Sequence, residues 1–241
     1  MYNLLTPNVK QLFVFTVFLI AFSVQSQEVL VFTKTVGFRH ESIEIGVTAI
    51  KKLGLENNFE VQHTEDATVF SKERLASIDI VIFLNTTGDI LNEEQQRQFE
   101  QFIKNGGGFV GIHSAADTEY DWEWYNKLVG AYFLSHPDQS SAEIIKTDVP
   151  HISTKHLPEV WHRFDEWYNY KSINHDVQVL LLLDETTYHG GENGDYHPIA
   201  WYHEFDGGKA FYTGGGHTKE SYADTDFLQH LLGGILYCMK K

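Results

Sequence analysis

The segment Ile78 to Leu84 (IDIVIFL) is almost wholly apolar and rich in β-branched residues. A strand with so little polar alternation must be covered on both faces, which places it at the centre of a parallel sheet flanked by helices. The flanking sequence agrees. Glu28 to Phe32 is a short apolar strand, and Ile43, Val47 and Ile50 recur at helical spacing between Glu41 and Leu55. Phe59 to Gln62 reads as a second strand. Asn92, with Gln95 three residues on, is a capping pair for a helix running to about Lys104, which Gly106-Gly107-Gly108 stops. Phe109 to Ile112 is the next strand. Strand and helix therefore alternate, the pattern of an α/β fold with a doubly wound, mostly parallel sheet and helices on both faces. Gln178 to Leu183, Ile199 to Glu204 and Lys209 to Thr213 add strands, and Phe227 to Leu236 carries the broad apolar face of a final helix. No repeat or linker interrupts the chain, so 27–241 reads as one domain.

Residues 1–26 stand apart. Lys10 is the only charged side chain before Glu28, and Leu12 to Val24 is apolar except for Thr16 and Ser23. The run falls short of the ~20 residues a membrane span needs. With Val24-Gln25-Ser26 behind it, it reads as a secretory signal peptide. The mature chain is then expected in the periplasm or at the cell exterior, without a membrane span. Its single cysteine, Cys238, rules out an intrachain disulfide, so core packing must hold the fold. Cys238 lies in an apolar helical pattern and reads as buried and inert. With 33 acidic against 18 basic residues, the chain repels phosphate-rich partners, which disfavours nucleic acid and anionic membrane surfaces.

Ligands of open α/β sheets bind beyond the carboxyl ends of the parallel strands. Three loops leave strands there, and each carries a histidine: Arg39-His40 after the first strand, His113-Ser114 after the glycine-rich strand, and His217 after Gly214-Gly215-Gly216. His113 occupies the strand-to-helix turn where other α/β enzymes place a nucleophile, and imidazole there suits acid/base work or metal ligation. Asp165-Glu166-Trp167-Tyr168 sets carboxylates beside aromatic rings, a combination that suits sugar hydroxyls and the apolar face of a sugar. All five tryptophans lie after residue 120, which points to the second half as the source of substrate-facing loops. None of the 13 histidines has HExxH spacing. A divalent metal such as zinc would need His113, His136 and His217 to converge in space; otherwise no cofactor is expected.

At these residues the chain resembles the ThuA-like (trehalose utilisation) family. The matching pieces are F-R-H-x-S-I from Phe38, G-G-G-F-V-G-I-H-S-A from Gly106, G-A-Y-F-x-x-H from Gly130, D-E-W-Y from Asp165, P-I-A-W from Pro198 and F-Y-T-G-G-G-H from Phe211. The resemblance implies a three-layer, flavodoxin-like fold similar to class I glutamine amidotransferases, with His113 where those enzymes keep a cysteine. It also implies a place in disaccharide catabolism, in company with a sugar oxidoreductase and through 3-keto-glycosides. A ketone at C3 acidifies the neighbouring C–H, so a base can remove that proton and the C1 substituent can leave. The expected roles are His113 as base, His217 as acid or carbonyl polariser, Arg39 as enolate stabiliser and His40 beside them. Asp165, Glu166, Ser114, Tyr168, Trp201 and His136 are expected to bind the sugar or glycoside. A non-catalytic carbohydrate-binding module and a two-carboxylate glycosidase are the competing expectations.

Overall fold

The computed structural model describes residues 26–239, so the signal-peptide reading of 1–26 lies outside the described residues except for Ser26. Eleven strands and five helices follow in order: β1 (Gln27–Phe32), α1 (Ile43–Asn57), β2 (Phe59–Thr64), α2 (Lys72–Leu75), β3 (Ile80–Leu84), α3 (Glu93–Lys104), β4 (Gly108–Ile112), α4 (Glu123–Val129), β5 (Tyr132–Ser135), β6 (Ser140–Lys146), β7 (Val160–Asp165), β8 (Asn169–Lys171), β9 (Gln178–Asp184), β10 (Pro198–Phe205), β11 (Gly208–Thr213) and α5 (Thr225–Cys238).

Nine strands form one sheet in the order β2-β1-β3-β4-β11-β10-β9-β6-β7. The half from β2 to β11 is parallel throughout. The chain folds that way because β3 and β4 offer nothing to water, every residue of both being buried, and the last four residues of β1 are buried as well. From β11 outward each pairing is antiparallel. The parallel expectation therefore holds for the half that contains IDIVIFL, and the other half is antiparallel, which the early alternation does not announce.

The order changes direction between β1 and β3, the switch point where doubly wound sheets open a crevice. One face of the sheet carries α1 and α5 and the other α2, α3 and α4, giving three layers. Asn92 and Gln95 form the expected capping box on α3. Asp224 caps α5 by accepting from the amides of Asp226 and Phe227. The core runs through Phe32, Phe83, Phe99 and Phe109, whose rings pack tilted, stacked and edge-to-face. Cys238 is buried, as expected of an inert thiol. Among the described residues no helix is long and apolar enough to cross a membrane.

The tryptophans depart from expectation. Trp161, Trp167 and Trp201 are core residues, Trp201 at 1% exposure, while Trp122 and Trp124 stack on each other against Phe99 and Tyr125. None supplies an open sugar platform.

Candidate active site

In the parallel register Thr213 lies beside Ile112, and Ile112 beside Leu84. The residues that follow, Asn85, His113 and Gly214, therefore emerge side by side at one rim of the sheet. His113 begins a short 3-10 turn with φ of 49°, left-handed backbone that non-glycine residues seldom adopt. Such strain persists only where the surroundings fix it, and it collects at functional sites. Here Tyr212 Oη donates to the His113 carbonyl at 2.8 Å, and the imidazole Nδ1 lies 2.9 Å from the Gly214 carbonyl. A carbonyl only accepts, so Nδ1 carries the proton and the lone pair of Nε2 is turned inward. Gly214 has no room for a side chain, because a Cβ there would strike Tyr170 Oη.

Nε2 of His113 faces two groups. His217 Nδ1 is 3.2 Å away and Glu166 Oε2 is 3.4 Å away, while His217 Nδ1 and Glu166 Oε2 are 3.0 Å apart. The His40 ring stands edge-on to both imidazoles, 4.9 Å from each by ring centroid, and Ser114 Oγ lies 3.4 Å from its Nδ1. The three histidines that the sequence placed on separate loops thus meet in one cluster, with Glu166 as the fourth member. Burial, and then the neighbouring imidazoles, push His40 down to about 2. Burial alone would raise the Glu166 carboxyl, but the adjoining His113 and His217 rings outweigh it and hold that group well below the usual carboxylate range.

The cluster is reached from one side. His40 and His113 are buried, whereas the side chains of Glu166 and His217 are 9% and 15% exposed. His136 stands at the rim, 43% exposed, with Nδ1 3.4 Å from Glu166 Oε1 and 2.9 Å from the Pro137 carbonyl. By the same acceptor argument its Nδ1 is the N–H, which leaves the Nε2 lone pair available. The Tyr168 ring packs 4.2 Å from the His113 ring, and burial raises its phenol well above the usual value.

Other expected site residues are placed differently. Asp165 is buried and fully engaged: Oδ2 accepts from Gly216 N at 2.8 Å, Ser221 Oγ at 2.8 Å and Arg163 Nη2 at 3.3 Å, and Oδ1 from Glu166 N at 3.0 Å and His217 N at 3.1 Å. It holds the His217 loop and has no lone pair left for a sugar hydroxyl. Trp201 stacks on Tyr212 beneath the rim and donates to the Val129 carbonyl. Arg39 gives both ends of its guanidinium to Glu44 and Glu65, each at 2.8 Å, so it is not the free cation an enolate needs. Ser114 is buried and supports His40. His136, expected to complete a metal triad, lies beside Glu166, and His40 and Glu166 take its place in the set.

Two further residues were not foreseen. Phe38, 65% exposed, sets its ring edge-on to His40 at 4.9 Å and is the aromatic surface actually open at this rim. Asn85, with φ of 51°, donates to Ser42 Oγ at 2.9 Å and to the Gly216 carbonyl at 3.2 Å, tying two of the loops together. Its signal was an asparagine directly after a buried strand, a place where left-handed backbone is tolerated. A surface groove of about 720 Å³ beside β2, lined by Lys51, Leu55 and Glu60 among others, gathers none of these histidines.

Residues 28–238 match the ThuA family, described as trehalose utilisation. Comparison with curated proteins returns no match. Among solved structures, a ThuA-like protein of Bacteroides uniformis superposes with a TM-score of 0.74 at 24% identity, covering 90% of this chain and 94% of that one. A ThuA-like protein of Parabacteroides merdae gives 0.74 at 21% identity, covering 89% and 90%. A cytoplasmic protein of Salmonella typhimurium gives 0.63 at 13% identity, covering 89% and 100%. At these identities the likeness speaks to the fold alone.

Proposed function

The chain belongs to the ThuA family, and from that premise we propose that it is an exported carbohydrate-processing enzyme acting on keto-sugars or 3-keto-glycosides at the His113–His217–Glu166 rim. The observation that carries this reading is the convergence of three imidazoles and one carboxylate at the carboxyl ends of parallel strands, with His136 open beside them. The apolar leader before Ser26 supports export, and the β2-β1-β3-β4 order, with His113 on its strained turn, supports a frame of the class I glutamine amidotransferase type.

In this reading the work is divided differently from the roles expected of the sequence. His113 is enclosed and its Nε2 faces Glu166 and His217, so it belongs to the group that polarises the ketone. Proton transfer falls to His136. Its Nε2 takes the proton from C2, and the C2–H electron pair forms the enolate with the C3 oxygen. Collapse of the enolate restores the ketone and expels the C1 substituent, whose oxygen takes the proton back from His136. Water then adds across the C1–C2 double bond to give the free keto-sugar. Phe38 offers its ring to the apolar face of the sugar. Tyr168 packs against His113 and keeps water from its inner side. The ketone would be installed by a separate sugar oxidoreductase.

The test is turnover of matched oxidised and unoxidised disaccharides by the mature protein, with products read by mass spectrometry. His136→Ala is expected to cut turnover of the 3-keto-glycoside by about 10²–10⁴-fold, the usual contribution of a general acid/base. An unchanged rate removes His136 from the mechanism. Binding of intact glycosides without turnover favours the carbohydrate-binding module, and hydrolysis of the unoxidised disaccharide favours the glycosidase.

A further inference from the structure

We propose that the cluster is a divalent-metal centre, in which His113 Nε2, His217 Nδ1, a carboxylate oxygen of Glu166 and His40 hold one ion of the zinc class. Each of the four offers a ligand atom, and all four atoms lie within 4.8 Å of one another. The three best-placed atoms form a triangle with sides of 3.0, 3.2 and 3.4 Å. Bonds of about 2.0–2.1 Å to a tetrahedral zinc ion separate its ligands by about 3.3 Å. The triangle therefore has the dimensions of one face of a zinc tetrahedron, and a ring nitrogen of His40 lies within 4.8 Å of its corners.

Electrostatics leads to the same place. His113 Nδ1 is committed as a donor to Gly214, so Nε2 presents a lone pair. Glu166 Oε2 is a carboxylate oxygen with lone pairs only. With His113 neutral, these two face each other at 3.4 Å without a proton between them, and the single N–H that a neutral His217 can place on Nδ1 serves only its own contacts. One cation at the centre removes the conflict, because every atom then presents a lone pair to positive charge. The outer contacts are those of ligands held in orientation: a backbone carbonyl on the far nitrogen of His113, and Ser114 Oγ 3.4 Å from His40 Nδ1. With no cysteine in the set, imidazole and carboxylate suit zinc or a similar borderline ion. Three neutral imidazoles and one carboxylate leave a divalent ion with net positive charge. That is the property a carbonyl-polarising Lewis acid requires.

The ion's catalytic role rests on the function proposed above, as the group that polarises the ketone, while its binding does not. The set also differs from the triad the sequence suggested. His136 stays outside as the proton carrier, and Glu166 and His40 come in.

The experiment uses the mature protein stripped by dialysis against a chelator and titrated with Co²⁺, followed by visible absorption, with Zn²⁺ as competitor. One Co²⁺ per chain, with the intense bands of a tetrahedral site, and its displacement by Zn²⁺ are expected. Loss of an outer-shell partner already costs metal sites about 10–100-fold in affinity, so Glu166→Gln and His217→Asn should each weaken binding by about 100-fold or more. His162→Ala, on an exposed histidine of β7, should leave it unchanged. Circular dichroism confirms that each variant is folded. Wild-type affinity no tighter than that of the folded His113→Asn/His217→Asn double variant overturns the proposal, as does equal weakening by His162→Ala. Because binding is read without substrate, the two readings fail separately. A protein that binds Co²⁺ and turns over no keto-sugar loses the function and keeps the centre; keto-sugar turnover with no metal binding does the reverse.

Discussion

Asp165 meets Arg163 on one strand, in the layer beneath the rim, and neither side chain reaches water: their exposures are 0% and 4%. The guanidinium lies between the Trp161 and Phe227 rings, 4.7 and 4.3 Å from their centroids, and donates from Nη2 to Asp165 and Ser221. Its Nη1 has no hydrogen-bond partner. Burial lowers the guanidinium's affinity for its proton, and the Asp165 charge opposes that. The carboxylate also gathers the amides of Gly216, His217 and Thr218. Removing it would strand a buried cation and free the loop that carries His217. Breaking a buried pair of this kind costs about 3–5 kcal/mol. Asp165→Ala is expected to lose that much in urea unfolding. A loss below about 1 kcal/mol, the scale of an exposed pair, would show that the loop is held by other contacts.

Elements differ in how openly their sequence declares them. In α3 the signal is local, because Asn92 and Gln95 lie three residues apart and each satisfies the other's backbone amide. Asn92→Ala should cost about 1 kcal/mol in thermal or urea unfolding, the usual worth of an N-cap, and leave turnover unaltered because the cap's side-chain bonds are to Gln95 and to none of the cluster residues. A cost near zero would mean that packing of Phe99, Phe102 and Ile103 alone sets the helix start. β3 and β4 were equally legible, since a strand buried on both faces has no polar positions to confuse the pattern. β7 was not. Along VWHRFD the buried residues are Trp161, Arg163 and Asp165, and the exposed ones include Val160 and Phe164. Its period of two is present but inverted in polarity, because a charge pair buries there. The site follows the same division. His40, His113 and His217 were found because strand ends of a parallel sheet share one rim, a consequence of topology that local sequence reveals. Glu166 was found as an acid but not as their partner. That pairing depends on β7 crossing beneath the His217 loop, a long-range arrangement that no spacing encodes. Trp201 and Asp165 were misassigned for one reason: side-chain chemistry suggested a surface role, and burial decided otherwise.

On the scale of the whole molecule, histidine is as much a core residue as a site residue. His113, His197, His203 and His230 are all buried, and each spends a ring nitrogen on a backbone carbonyl. His230 is the clearest case outside the cluster. Trp161, Phe211 and Phe227 surround it, Nδ1 donates to the Ser153 carbonyl, and Nε2 has no partner. Burial pushes it down to about 3, and the Arg163, His156 and His151 charges facing it act in the same direction. The sign follows from which state binds the proton. The unfolded chain takes it up near pH 6.5, whereas the folded chain resists until about pH 3, so stability is full above 6.5 and falls as the pH drops through that window. His203 and His197 are lowered too, again chiefly by burial, and add to the slope. Most of the 33 carboxylates remain ionised down to about pH 5. Relief of their mutual repulsion therefore begins only after the histidine loss is under way. Unfolding is expected to take up protons and the melting temperature to fall between pH 7.5 and 5.5, with His230 alone accounting for about 1 kcal/mol by pH 5.5. Replacing it with an apolar ring, His230→Phe, should flatten that dependence while leaving the neutral-pH fold intact. If wild type and variant lose stability in parallel over this range, His230 is not held neutral by its surroundings. The acid sensitivity would then belong to the other buried histidines, His197 and His203.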